Sequence, residues 1–278
     1  MAEHQAHNLT RPGSSPGVGT FRVAARLVSV NKSGAEVVNG KQVTVVTPVG
    51  GNVNLQWLAE GAESLRANRV SFEHIVVSDG PPLDVLQRAC PAATVLSNAR
   101  SKGPAGARNT GLDVARGRWV YALDADDLVE PGALDALVET GDQRDRVWAC
   151  GKARDVDRDN TVIYVPGELE AKGDLPPGWF LSYYRANGIY PVLCCGGTLL
   201  RTDVARALGG WDESLGDRSE DVSLVAAVSA SGTGGLAGGF LLRYRQHPDS
   251  ITATPADPVR ERAAAIVVAQ RAAAAAVQ

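Results

Sequence analysis

With 278 residues, 44% of them apolar, the chain can bury a sizeable core in one large domain or two small ones. Its 28 basic and 31 acidic side chains leave a formal charge of −3, so no general electrostatic drive toward nucleic acid or an anionic membrane exists. No stretch approaches the roughly 18 apolar residues of a membrane span, and the N-terminus lacks the apolar core of a secretory signal, so a cytoplasmic location is expected.

Residues 1–20 are rich in Gly, Pro, Ser and His, with almost no large apolar side chain to offset the entropy of ordering. A disordered tail is expected there. Residues 21–42 alternate in part, and Asn39-Gly40 between Val37-Val38 and Val43 has the chemistry of a tight hairpin turn. These residues are read as an N-terminal hairpin extension.

From residue 43 the pattern changes to alternating strand and helix. Val43 to Thr47 is a β-branched run ended by Pro48 and two glycines, and Leu55, Leu58, Ala62 and Leu65 follow at helical spacing. His74 to Gly80 repeats the strand signal and stops at Asp79, while Ala93 to Ser97 reads as a third strand. A helix over Ala105 to Arg116 leads into WVYALDADD, a nearly continuous apolar run that ends in three acids. Pro131 suits the first turn of a further helix bearing Leu134, Leu137 and Val138. Such alternation predicts an α/β fold, a mainly parallel sheet flanked by helices.

Beyond Gly141 the signals weaken. The charged stretch Arg144 to Asn160 and the Pro-, Gly- and aromatic-rich stretch Leu175 to Tyr190 read as long loops over a site. Thr202-Asp203 is placed at the cap of a short helix ending at Gly209-Gly210, and Ser219-Glu220-Asp221 opens another that runs to about Ser231. Phe240 to Arg245 reads as a last strand, and the Ala-rich residues 256–278 as a C-terminal helix. The four cysteines, Cys90, Cys150, Cys194 and Cys195, have neither zinc-site spacing nor disulfide density, and are read as reduced, buried thiols.

Five places in the chain carry candidate chemistry. Asp124, Asp126 and Asp127 follow a buried strand, where open parallel sheets bind ligands. A divalent ion held against a diphosphate would relieve their mutual repulsion, and an acidic surface turn is the alternative. Asp79 ends an earlier strand at the same edge and could accept bonds from a ribose or base, or serve only an Asp-Gly turn. Between Gly103 and Gly111, small residues allow a helix to approach the sheet, and Arg108 and Asn109 bring donors suited to a phosphate. His247 lies in a loop where it could reach a metal or phosphate, whereas His74 begins a strand and reads as structural. Trp179, Phe180, Tyr183, Tyr184 and Tyr190 could wall an acceptor site or form a small core.

Taken in order, Thr47-Pro48, Ser78-Asp79-Gly80, Ala107-Arg108-Asn109-x-Gly111 and Leu123-Asp124-x-Asp126-Asp127 resemble the nucleotide-binding half of the family 2 glycosyltransferases of the GT-A fold. Gly209-Gly210-Trp211-Asp212-Glu213, Ser219-Glu220-Asp221 and Tyr244-Arg245-x-His247-x-x-Ser250 resemble that family's acceptor-side motifs. The resemblance implies one GT-A domain over residues 43–255, with a nucleotide-binding half at 43–140 and an acceptor half at 141–255. It implies inverting transfer of a sugar from a nucleotide-diphosphate sugar, UDP-sugar favoured and dTDP-sugar next, to a small-molecule, peptide or lipid-linked acceptor. Thr47, Pro48, Asp79, Arg108, Asp124 and Asp126 would line the donor site, and Asp126, Asp124 and His247 would hold Mg²⁺ or Mn²⁺. Asp221 would be the general base, and Glu220, Trp211, Trp179, Tyr183, Tyr184 and Tyr190 would lie toward the acceptor. The chain departs from the family at Ser78, where a second acid is usual, and at Pro81-Pro82. A nucleotidyltransferase is the rival enzyme, but residues 47–54 hold no basic side chain for a triphosphate loop; a noncatalytic nucleotide-sugar-binding protein is the other alternative.

Overall fold

The computed structural model describes residues 29–30, 36–37, 42–165, 173–188, 190–215, 219–250 and 258–277. The chain divides into two compact units, residues 1–39 and 40–278. In the first unit, β1 (Ser29–Val30) pairs antiparallel with β2 (Glu36–Val37), with Ser29 opposite Val37. This pairing turns the chain between Val30 and Glu36, ahead of Asn39-Gly40; that dipeptide and the expected tail at 1–20 lie outside the described residues. Val43 instead lies opposite Phe72 and Trp119, because a fully buried β-branched run fits the interior of a large parallel sheet.

The second unit follows the predicted alternation closely as far as Gly141. Strands β3 (Val43–Val49), β4 (Phe72–Ser78), β5 (Thr94–Ser97) and β6 (Trp119–Ala122) are parallel, in the order β6-β3-β4-β5. They are connected through α1 (Leu55–Ser64), α2 (Leu83–Ala89) and α3 (Pro104–Val114). The short β7 (Leu128–Val129) and α4 (Ala133–Gly141) follow the acidic loop. Alternate side chains of β3 enter different cores, Val43 and Val45 under α4 and Val46 against α3, as a strand covered on both faces requires.

Two segments expected as loops are ordered elements. Residues 148–156 form β8, whose first four residues are buried beside β11 (Thr198–Arg201), and β9 (Val162–Tyr164) pairs with its far end. Its charges sit at the outer half, where long side chains leave the sheet surface, so charge density alone misreads it. Within 175–190, β10 (Asp174–Leu175) precedes α5 (Trp179–Asn187), whose ends are set by Gly178 and Gly188 at φ of +78° and +71°. The glycines there punctuate a helix; they do not dissolve one.

The remaining elements are α6 (Thr202–Ala207), α7 (Glu220–Ser231), β12 (Gly234–Arg245) and α8 (Pro258–Ala275). Thr202 lies inside α6 and Arg201 takes the cap position, one residue earlier than expected. Among the described residues the sheet has ten strands, with the main order β10-β12-β8-β11-β6-β3-β4-β5. Because β11 is antiparallel to both β6 and β8, and β12 is parallel to β8, strands β3, β4, β6, β8 and β12 all end at one edge. The candidate site gathers there. The four cysteines are buried free thiols, and among the described residues no helix is long and apolar enough to cross a membrane.

Candidate functional site

The wholly buried β6 delivers Asp124, Asp126 and Asp127 to that edge. Asp127 is buried and accepts a bond from the Arg245 amide at 2.9 Å, while Arg245 Nε donates to the Asp126 carbonyl at 2.8 Å. A third arm of Arg245 reaches Glu60 on α1 at 2.9 Å. The acidic loop is thus clamped between the end of β12 and α1, and its other two carboxylates remain about one third exposed. His247 Nε2 and Asp126 Oδ2 share a hydrogen bond of 2.8 Å. Trp57, three residues after the Asn54 side chain that caps α1, packs its indole 4.9 Å from the His247 ring and stacks the Arg245 guanidinium. Burial, together with Asp124, raises the Asp126 carboxyl above its ordinary range, and His247 partly opposes this. Burial and the two neighbouring carboxylates push Asp127 higher still.

A divalent ion here would have to be held by the donors at this edge. Among the described residues no group of three or more His, Cys, Asp or Glu side chains forms a ready cage. The 2.8 Å between Asp126 Oδ2 and His247 Nε2 is, however, near the roughly 3 Å edge of an octahedron with ~2.1 Å bonds. An Asp–His pair fits a divalent ion whose other ligands are phosphate oxygens and water, and the imidazole suits a transition metal such as Mn²⁺ better than the oxygen-preferring Mg²⁺.

Arg108 is the centre of the site. Helix α3 lies against β3 at Gly111, where a Cβ would run into Val46, and this brings Arg108 under the acidic loop. Its side chain is 5% exposed and forks: one arm donates to Asp124 Oδ1 at 2.7 Å and the other to Glu220 Oε1 at 2.6 Å. Arg108 Nε and Glu220 Oε2 are buried without a partner. The guanidinium therefore joins the acidic loop to the N-terminus of α7, where Ser219 adopts a left-handed φ of +68° and contributes no side-chain cap. Asp221, next in the chain, has its carboxyl raised by burial, an effect that Arg108 opposes and Asp124 reinforces.

The expected nucleoside side is already knitted together. Thr47 Oγ1 is bonded to His74 Nε2 at 2.9 Å, and burial lowers the His74 pKa to about 4, so the ring is neutral. Pro48 stands next to it, partly exposed at the strand end. Asp79 accepts from Asn98 Nδ2 at 2.9 Å and from the Gly103 amide at 2.8 Å, tying β4 to the turn before α3.

On the expected acceptor side the placements diverge. Glu220 is buried and directed at Arg108, so it is not a surface for an acceptor. Trp211 is also in the core, its backbone gripped at both ends by the Asn109 amide, 2.8 Å each. The motif around it is a structural tie in which Gly210, at φ +69°, leaves room for Asn109, and Glu213 binds Asn109, Arg100 and Ser101. The aromatics of 179–190 form two groups: Trp179 is 5.4 Å from Tyr183, while Tyr184 stacks on Tyr190 at 4.4 Å and Phe180 is buried beneath Tyr190. Of these five, Trp179, Tyr183, Tyr184 and Tyr190 keep exposure for a ligand, and Phe180 does not. Trp57 and the clamping role of Arg245 had no counterpart in the sequence reading; a tryptophan just inside the helix after the first strand was the available signal for the first.

The family model described as "Glycosyl transferase family 2" matches residues 44–209. The succinoglycan biosynthesis protein ExoO of Rhizobium meliloti (strain 1021) is 37% identical over 131 residues, 46% of this chain and 37% of that protein. The pre-mycofactocin glycosyltransferase of Mycobacterium tuberculosis (strain CDC 1551 / Oshkosh) is 38% identical over 206 residues, 66% of this chain and 38% of that protein. The chain thus spans less than two fifths of the length of these relatives. Among solved structures, S. aureus TarS 1-349 in complex with UDP-GlcNAc superposes with a TM-score of 0.64 at 17% identity, covering 83% of this chain and 66% of that one. This last likeness is one of fold.

Proposed function

The chain belongs to glycosyl transferase family 2, and on that premise we propose that it transfers a sugar with inversion from a nucleotide-diphosphate sugar, UDP-sugar by preference, to an acceptor hydroxyl. One observation carries the reading: Arg108 binds both the acidic loop, at Asp124, and the acidic start of α7, at Glu220. The acidic loop and the start of α7, which carries Asp221, are so joined that both can act on one substrate pair. The complex of TarS with UDP-GlcNAc supports a UDP-sugar as donor.

In this reaction the acceptor oxygen attacks the anomeric carbon, the bond from that carbon to the diphosphate breaks, and the hydroxyl proton passes to a carboxylate. We assign the proton to Asp221, whose half-buried carboxyl has a raised affinity for it. Thr47, Pro48 and Asp79 would border the nucleoside, with Asp124 near the ribose. Asp126 and His247, with Asp124 beside them, would hold Mg²⁺ or Mn²⁺, which when bound offsets the charge of the leaving diphosphate. Arg108 keeps the two carboxylate-bearing segments in register, and Trp57 fixes the His247 ring.

The test is release of UDP from UDP-GlcNAc and related UDP-sugars in the presence of Mn²⁺, with water or added acceptors. Turnover that Asp221→Asn abolishes is the expected result. Tight binding of donor with no turnover under any condition would favour a noncatalytic binding protein.

A further inference from the structure

A cationic surface lies close to the site on two neighbouring strands, β8 inside the family match at 44–209 and β12 beyond it. Lys152 and Arg154 on β8 and Arg243 on β12 occupy the outer halves of two strands that end at the catalytic edge. By strand period, Lys152 and Arg154 continue the face of Cys150. Cys150 belongs to the same core cluster as Cys194, Cys195 and Val222, the last of which follows Asp221 on α7. The cations thus extend the face that bears the proposed base.

Phe240 organises them, with Lys152 Nζ 4.8 Å and the Arg154 guanidinium 4.7 Å from its ring. Arg154 and Arg243 are direct register partners. Like charges opposite one another on neighbouring strands are destabilising unless an anion intervenes. Glu130 supplies one, with Oε1 2.9 Å from Arg154 Nε and 3.1 Å from Arg243 Nε. Among the described residues it is the one carboxylate with which these two arginines pair, so two guanidinium groups share a single negative charge. Their side chains remain 31% and 33% exposed. Each guanidinium has five N–H donors, more than Glu130 can engage.

We propose that Arg154 and Arg243, with Lys152 beside them on Phe240, form an acceptor subsite for a phosphate group. Paired guanidinium forks and an ammonium match the several oxygens and the charge of a phosphate. The proposal rests on the glycosyltransferase reading above for its role as an acceptor subsite, while the subsite itself is testable separately.

The experiment uses the full chain with UDP and Mn²⁺ present throughout, which keeps probes from the donor diphosphate position. Glucose 6-phosphate and glucose are titrated in parallel, and vesicles containing phosphatidate are compared with phosphatidylcholine vesicles by cosedimentation. Wild-type protein is expected to prefer the phosphorylated probe about tenfold, the size of one charge-assisted hydrogen bond. Lys152→Glu and Arg243→Gln are expected to remove that preference, and Arg243→Lys, which keeps the charge beside Glu130, to retain part of it. Circular dichroism melting reports whether each variant is folded. Preference for glucose 6-phosphate alone places the phosphate on a soluble acceptor, and retention on phosphatidate vesicles places it on a lipid; either supports the subsite if the variants lose it. Equal binding of the phosphorylated and neutral probes, or a preference unchanged in folded Lys152→Glu and Arg243→Gln, overturns it. Separate titration of UDP reports on the donor reading, so a failure there with phosphate preference intact removes that reading and leaves the subsite standing.

Discussion

At Asp221 two effects oppose one another. A helix N-terminus favours a carboxylate by about 0.3–1 kcal/mol at an exposed position, and Arg108 adds to this, yet burial prevails and the carboxyl lies above its usual range. A base so placed holds a transferred proton better than an exposed aspartate would. Since the base must be ionised, kcat/KM should rise with pH along a limb above the ordinary aspartate value, and Asp221→Asn should abolish that limb. The same change should lower kcat by about 10² to 10⁴, or roughly 3 to 5.5 kcal/mol of barrier, and leave UDP affinity near that of wild type. Asp212→Asn is the control, since among the described residues the Asp212 carboxylate takes its hydrogen bonds within its own turn, from Ser214. A loss in turnover smaller than tenfold in Asp221→Asn would make Asp221 a structural residue.

The pair Arg108–Glu220 shows what the sequence could not reveal at this scale. The two residues are 112 positions apart, and no spacing rule couples them. Glu220 was therefore expected to face an acceptor when it faces an arginine. Asp124, Asp126 and Asp221 could be singled out because short motifs place them at the ends of a strand and the start of a helix. What each carboxylate bonds to depended on contacts that only the packed sheet creates.

Among the elements, α3 and α7 are coupled by that ion pair. Removing one partner leaves a buried charge, so Arg108→Met alone should cost about 3–5 kcal/mol in urea unfolding. The double variant Arg108→Met/Glu220→Leu should recover most of that stability, because an apolar pair avoids the desolvation of two charges. It should still lack activity, as the acidic loop and α7 are no longer held by one group. Recovery of activity together with stability would show the pair to be scaffold only.

The β3–β4 pair carries a different signature through His74. The unfolded state binds a proton on this ring near 6.5 and the folded state only near 4. Between those values the unfolded state holds more protons, so stability falls as pH is lowered. The full effect is roughly 3 kcal/mol. His74→Gln should flatten the pH dependence of stability across that window, and an unchanged slope in denaturant titrations would contradict a neutral buried His74. These parallel strands were readable because β-branched runs bounded by Gly, Pro or Asp leave few alternatives. Strand β8 and helix α5 were not, since half-exposed charges and terminal glycines resemble loop composition until burial is known.

At the scale of the whole molecule, the order of strands explains the location of the site. The reversal at β11 restores a common direction for β6, β8 and β12, and so places Asp126, Arg245 and His247 together despite their separation in sequence. Helix α8 belongs to the same body: it packs on α7, and Arg271 donates to the carbonyls of Leu208 and Gly210 and to Ser223 Oγ in the first turn of α7. Arg271→Ala should orphan those carbonyls and cost about 1–3 kcal/mol in unfolding free energy. A melt identical to wild type would show that water replaces the guanidinium without loss.

The most direct measurement of the central claim is thermal unfolding with UDP, GDP, dTDP and CDP, each with and without Mn²⁺ or Mg²⁺. At about 100 times its dissociation constant a ligand adds about 2.7 kcal/mol. For a domain of roughly this size, each kcal/mol raises the midpoint by about 2–4 °C. A rise of roughly 5–10 °C with UDP or dTDP, largely removed by EDTA, is expected. No rise with any nucleotide, or one indifferent to metal, would contradict it.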